Sequence, residues 1–173
     1  MAVLYRVALR LVGDPHDAED ILQETFRSAW VSRHLFDAER SERAWLLAIL
    51  QRRVADHWRR RQGREAVAAR ELPEPVAAGA ADPFADELSA ALQRGLDRLP
   101  DELRSTLLLV VVGELTHQEA ADLLHVPLGT VLSRVSRARQ RLREHLLEDR
   151  RGLSRRPAAD PAGPTVRSED HHG

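Results

Sequence analysis

The sequence predicts an all-α protein made of two small helical domains joined by a flexible linker. Three observations carry this. Ala, Leu, Arg and Glu dominate, aromatic residues make up only 4% of the 173 residues, and no useful length alternates as a half-buried strand does. Apolar residues recur instead at helical spacing through 1–62 and 86–148. Between these blocks, residues 63–85 carry Pro73, Pro75, Gly79 and Pro83 among alanines with no large apolar anchor, a composition that interrupts helices and builds no core. Residues 149–173, with three prolines and mixed charge, are expected to form a disordered tail.

In the first block, MAVLYRVALRLV gives a short helix with Val3, Leu4, Val7, Ala8 and Leu11 on one side. Gly13-Asp14-Pro15 ends it and opens the next, with Asp14 as N-cap, Pro15 at the first helical position, and Asp17, Glu19 and Asp20 where the helix dipole favours acids. This second helix runs to about Arg33, its buried stripe being Ala18, Ile21, Leu22, Thr25, Phe26, Ala29 and Trp30. A polar loop with Phe36 at its base leads through Ser41 and Arg43 into a long helix beginning AWLLAILQRRVADHW. Trp45 sits among apolar neighbours and is placed in the core, with a stacking platform as the alternative. Trp58, beside arginines, stands open between the two.

The second block starts with ELSAALQRGLDRL, broken at Leu99-Pro100. The next helix contains Leu107–Val112, the most apolar run of the chain, and Leu103, Leu107, Val110 and Val111 are expected beneath the final helix. Thr116 and Glu119 have the spacing of a capping box, so a helix opens there. Ala120 and Ala121 give it a small-residue face that allows close approach. His125-Val126-Pro127 breaks it, and a further helix follows whose stripe is Val131, Val135, Ala138 and Leu142. Two helices with a short turn form a helix-turn-helix. Away from the stripe lie Gly129, Ser133, Ser136, Arg137 and Gln140, flanked by Thr130, Arg134 and Arg141. Small residues let such a face enter a DNA groove, and guanidinium groups reach phosphates or guanine edges; the alternative is a solvated basic face.

Charge placement agrees with nucleic-acid binding. The formal net charge is -1 and every Lys or Arg is in fact arginine. The arginines cluster at Arg52–Arg70 and Arg134–Arg151 around an acidic stretch from Asp86 to Val126. Two basic clusters imply two separate contacts. The chain has no cysteine, which excludes disulfides, thiol nucleophiles and thiolate metal sites. No nucleophile is paired with a base, and neither metal-ligand spacing nor a glycine-rich phosphate loop is present, so no catalysis and no cofactor are expected. His171 and His172 read as a polar tail. No apolar run approaches a bilayer span and the start turns acidic where a signal peptide would end, so a cytoplasmic protein without membrane insertion is expected.

The run EAADLLHVPLGTVLSRVSRARQRLR resembles the carboxy-terminal DNA-reading domain, region 4, of bacterial RNA polymerase sigma factors in the extracytoplasmic-function (ECF) subfamily of the sigma-70 family. Its GTVxSRxxRAR core is narrower than a generic helix-turn-helix. LYRVALRLVGDPHDAEDILQETFRSAW resembles region 2 of the same group, so two blocks agree in the expected order. The family has another turn or two of helix ahead of the position of Leu4.

The resemblance implies a transcription-initiation function and a set of roles. Asp17, Asp20, Gln23 and Glu24 would dock on core RNA polymerase. The Phe36–Arg43 loop, with Phe36, Ser41 and Arg43, would pocket a flipped base of the minus-ten element, and Arg52, Arg59, Arg60 and Arg61 would hold phosphates. Gly129, Thr130, Ser133, Arg134, Arg137 and Arg141 would read the minus-thirty-five element of promoter DNA. An anti-sigma factor is expected as a further partner. Gln51-Arg52 stands where the family commonly has Arg-Asn, which implies a shifted minus-ten preference. Leu132 replaces a position often basic, and either touches a thymine methyl or packs at the edge. Two rivals are a one-component helix-turn-helix regulator, and a degenerate sigma-like adaptor that binds polymerase or a regulator without opening promoters. Elements centred about 20 base pairs apart are separated by roughly 70 Å at about 3.4 Å per step. A linker of about 20 residues extends to roughly 65 Å and, with the domain radii, bridges them.

Overall fold

Helices account for the fold throughout residues 1–38, 41–68 and 87–154, the parts that this computed structural model describes; no strand occurs among them. The expected linker (63–85) from residue 69 onward, the expected tail (149–173) from residue 155 onward, and residues 39 and 40 of the Phe36–Arg43 loop lie outside the described residues.

The first bundle is built from α1 (Ala2–Val12), α2 (Pro15–Val31) and α3 (Glu42–Ala68). Gly13 adopts a left-handed φ of 78° and returns its N–H to the Leu9 carbonyl, the arrangement glycine supplies at a helix end without steric cost. Asp14 then caps α2, its carboxylate accepting from the His16 and Asp17 N–H groups at 2.8 and 3.0 Å. A 3-10 turn, Arg33–Leu35, follows α2, and Ser41 Oγ accepts the Ala44 N–H at the start of α3. Leu4, Val7, Ala8, Leu11, Ala18, Ile21, Leu47, Leu50 and Val54 are buried between the three helices. Each fully buried aliphatic side chain contributes about 1.5–3 kcal/mol.

The second unit is α4 (Glu87–Asp97), α5 (Asp101–Val111), α6 (His117–Leu124) and α7 (Leu128–Ser154). The capping box forms: the Thr116 hydroxyl accepts the Glu119 N–H, and the Glu119 carboxylate accepts the Thr116 N–H. His125 ends α6 in the left-handed conformation at φ 54°. Pro127 sits one residue before α7, its carbonyl accepting from Thr130 and Val131. The other three helices of this unit all pack on α7, with Val131, Val135 and Ala138 buried in the same core as Ala120 and Ala121. A Cβ on Gly95 would lie 2.8 Å from Leu142 Cδ1, so glycine there lets α4 lie close to α7.

Four expectations need correction. Trp30 is 70% exposed rather than part of the α2 stripe, and Val111 is 52% exposed rather than beneath the reading helix. The α3 helix runs to Ala68, past the point where the linker was expected. The α7 helix runs to Ser154, and Asp149, expected in a disordered tail, is only 13% exposed, its carboxylate accepting from Arg94 and Arg98 on α4. Trp45 is half-buried, its ring 5.1 Å from that of Phe36, and Trp58 packs against the core edge with the Arg61 guanidinium over its ring. The two bundles share one core, α1 packing on α5 and α3 on α6.

Candidate nucleic-acid interface

The buried stripe of α7 dictates what its opposite side can do. With Val131, Val135 and Ala138 held against α5 and α6, the outward positions are fixed in direction by helical periodicity. Gly129, Arg137 and Arg141 are exposed, while Thr130 and Ser133 are half-buried beside them. The Ser133 hydroxyl donates to the Thr130 carbonyl at 2.9 Å, so it already has a partner. Arg134 differs from the other arginines: its guanidinium donates to Glu102 of α5 at 2.6 Å and only 19% of the side chain is accessible. It braces α7 against α5.

A shallow groove runs along α7 beside the start of α6, lined by His117, Leu132, Ser136, Arg139, Gln140 and Arg143. Leu132 is 49% exposed there, so it does not pack into the core. Arg139 and Arg143 were missed as candidates by sequence reasoning. Their spacing from Ser136, at i+3 and i+7, puts the three on one side and was the available signal.

In the first bundle, Phe36 and Trp45 form the base of the loop entering α3, with Ser41 and Arg43 exposed at its rim. Arg52 and Arg59 lie two turns apart on one face of α3, exposed, with Arg60 alongside. The Arg59 guanidinium, hydrogen-bonded to Asp56, holds that carboxyl below its usual range, and the charges of Arg53 and Arg60 act in the same direction. Arg61 lies on the other side, over Trp58 and 4.0 Å from Asp17. Arg61 is therefore set apart from the other three arginines.

On α2, Asp20 and Gln23 are exposed, and Glu24 pairs with Arg27 one turn on. Asp17 faces inward across to α3, its carboxylate 3.5 Å from His57 Nε2, and so is separated from the outward acidic face. That face continues into an apolar patch of Trp30, Val31 and Leu35, all exposed, with Arg33 stacked on Trp30 at 4.4 Å. Among the described residues no three acids or histidines are grouped to hold a metal ion, and no helix is long and apolar enough to cross a membrane.

Two helical units, one with a groove-sized basic helix on its outer side, define a DNA-binding protein of two-domain type. Residues 1–64 match the family described as Sigma-70 region 2, and residues 89–142 match Sigma-70, region 4. The chain is 32% identical over 160 residues to the ECF RNA polymerase sigma factor SigW of Bacillus subtilis (strain 168), a match covering 83% of this chain and 82% of SigW. It is 40% identical over 150 residues to the ECF RNA polymerase sigma factor SigE of Mycolicibacterium smegmatis, covering 83% of this chain and 57% of SigE. Among solved structures it is similar to the sigma factor RpoE from Bartonella quintana, crystallised with the anti-sigma factor NepR. That similarity has a TM-score of 0.71 and 29% identity, over 84% of this chain and 91% of RpoE. The chain belongs to the ECF subfamily of sigma-70 factors. It directs RNA polymerase to promoters, where transcription starts.

Proposed function

We propose a division of labour between the two units. Residues 1–62 bind core polymerase through Asp20, Gln23 and Glu24 and open the duplex at the minus-ten element. Residues 86–148 read the minus-thirty-five element with Arg137, Arg141, Ser133 and Thr130. The exposed loop rim at Ser41 and Arg43, above the Phe36–Trp45 pair, suits a flipped base, because an extruded base needs a pocket in place of its lost stacking. Arg52, Arg59 and Arg60 suit phosphates of the same strand. Asp17 and Arg134, both engaged inside the protein, act by positioning α3 and α7. The protein works in the cytoplasm, and an anti-sigma factor controls it, as NepR binds the similar RpoE.

The observation that carries this reading is the outward basic side of α7, presented by a buried stripe that fixes its angle. Run-off transcription with core polymerase over a randomised promoter library tests it. Transcripts starting downstream of a two-block consensus are expected. No transcript above core enzyme alone would overturn it.

A further inference from the structure

We propose that Leu132 reads a thymine through its 5-methyl group on the major-groove floor of the upstream promoter element, at a different base pair from Arg137. The inference rests on the reading of α7 as the helix that enters that groove.

A leucine alone on a surface says little, because scattered exposed apolar residues are ordinary. The setting of this one says more. Leu132 is 49% exposed while Val131 beside it is fully buried, since one residue of helix turns the side chain about 100° away from the core stripe. Leu132 therefore lines the α7 groove together with His117, Ser136, Arg139, Gln140 and Arg143, all of them polar. The other apolar residue of the lining, Val135, belongs to the buried stripe. Leu132 is thus the apolar group that a molecule entering the groove meets.

Its neighbours along the same side of the helix are small. Three residues earlier, Gly129 has no atom within 4 Å of where a Cβ would stand, so the packing of the protein itself does not call for glycine there. Four residues later comes Ser136, also exposed. Residues at these spacings are neighbours on a helix surface, and the order small, large, small leaves Leu132 standing out between two places where a partner can come close.

The chemistry of the surroundings names that partner. Arg139 and Arg143 on the side of Leu132, with Arg137 and Arg141 across the helix, are all exposed and favour a polyanion. Every base pair shows donors or acceptors in the major groove, but its one apolar feature is the thymine 5-methyl. Leucine has no hydrogen bond to give or accept, so against any other base edge it would leave a polar atom without a partner. Gln140, the long amide of the groove, is already held by Glu144 at 3.1 Å. Five residues separate Leu132 from Arg137, which is about 7.5 Å along α7 and roughly 140° around it. At about 3.4 Å per step, the two side chains reach separate base pairs.

The test uses the full chain assembled with core polymerase and a duplex promoter taken from the run-off selection, with binding read by fluorescence anisotropy. Replacing each thymine of the upstream block in turn by deoxyuridine removes one methyl group and keeps every hydrogen bond. One such replacement is expected to weaken binding of the parent chain about two- to fivefold, the effect of burying a single methyl group. Leu132→Ala should bind the thymine and deoxyuridine duplexes equally, and Leu132→Met, of similar volume, should keep the difference. Leu132→Arg, put through the same selection, should exchange that thymine for a guanine, which arginine reads through O6 and N7. The deoxyuridine comparison needs only the parent chain, so it stands whether or not a variant folds. An upstream block in which every thymine tolerates deoxyuridine, or an unchanged thymine preference in Leu132→Ala or Leu132→Arg, overturns the contact. Run-off transcription separates this from the reading beneath it: transcripts with no methyl response remove only the Leu132 contact, while absence of transcripts removes the promoter reading and the contact with it.

Discussion

Thr116→Ala tests the link between a two-residue sequence signal and the angle of the DNA-reading helix. The Thr116 hydroxyl accepts the Glu119 N–H at 3.2 Å and lies 2.8 Å from the Glu119 carboxylate, which also accepts the Thr116 N–H at 2.8 Å. Alanine removes the first two bonds and keeps the third. Loss of an N-cap side chain costs about 1 kcal/mol, and the solvent-facing hydroxyl–carboxylate bond adds at most about 1 kcal/mol. Urea denaturation should therefore show a loss of about 1–2 kcal/mol with an unchanged slope. The pH dependence adds a second reading. The Glu119 carboxyl is held below its ordinary value of 4.5, first by the Thr116 N–H, then by the Thr116 hydroxyl, with Ser41 and Arg43 also contributing. A lowered folded pKa means that this stabilisation is complete above about 4.5 and is lost as pH falls through the folded value. Thr116→Ala should shrink that acid loss without abolishing it, because the backbone N–H remains, and Glu119→Gln should remove it. A stability loss under about 0.3 kcal/mol, within the scatter of independent sites, or an acid profile parallel to the parent, would refute the reasoning.

Three further outcomes follow. Asp149→Ala leaves Arg94 and Arg98 of α4 without the carboxylate that joins them to α7; thermal denaturation should show a loss of about 1 kcal/mol, limited because both arginines are half exposed. Arg137→Ala should weaken binding to the selected promoter by about 1–3 kcal/mol if it touches a base edge, measured by fluorescence anisotropy on the polymerase–protein complex; an equal loss on every sequence would make it a phosphate contact. Charge reversal at Asp20 and Glu24, with the circular dichroism spectrum unchanged, should abolish co-purification with core polymerase. Retained co-purification removes α2 as the docking face.

The features read correctly from sequence are those set by neighbours in the chain. The Asp14 cap, the Gly13 turn, the Thr116–Glu119 box and the Val131–Val135–Ala138 stripe each need only local backbone chemistry and helical periodicity. What escaped depends on where a partner helix ends. Trp30 falls on the right stripe, but α2 has 17 residues and α1 only 11, about 26 Å against about 16 Å, so nothing in α1 covers the last turns of α2. Val111 lies at the very end of α5 and points off the core for the same reason. Asp149 looked like part of a charged tail because its partners, Arg94 and Arg98, are some fifty residues away. In the candidate sites, residue type was legible and engagement was not: Arg134 and Arg137 are alike in sequence, yet one is committed to Glu102 and the other faces outward. The contact of Arg43 with Glu114 spans 71 positions and leaves no local trace.

Site-specific photo-crosslinking in the promoter-bound polymerase complex measures the central claim most directly. A crosslinker at Arg137 and another at Phe36 should label DNA about 20 base pairs apart, the former on duplex upstream and the latter on the non-template strand of the opened region. Labelling of one common segment by both positions, or none from Arg137, would contradict a chain that grips one promoter with two separated units.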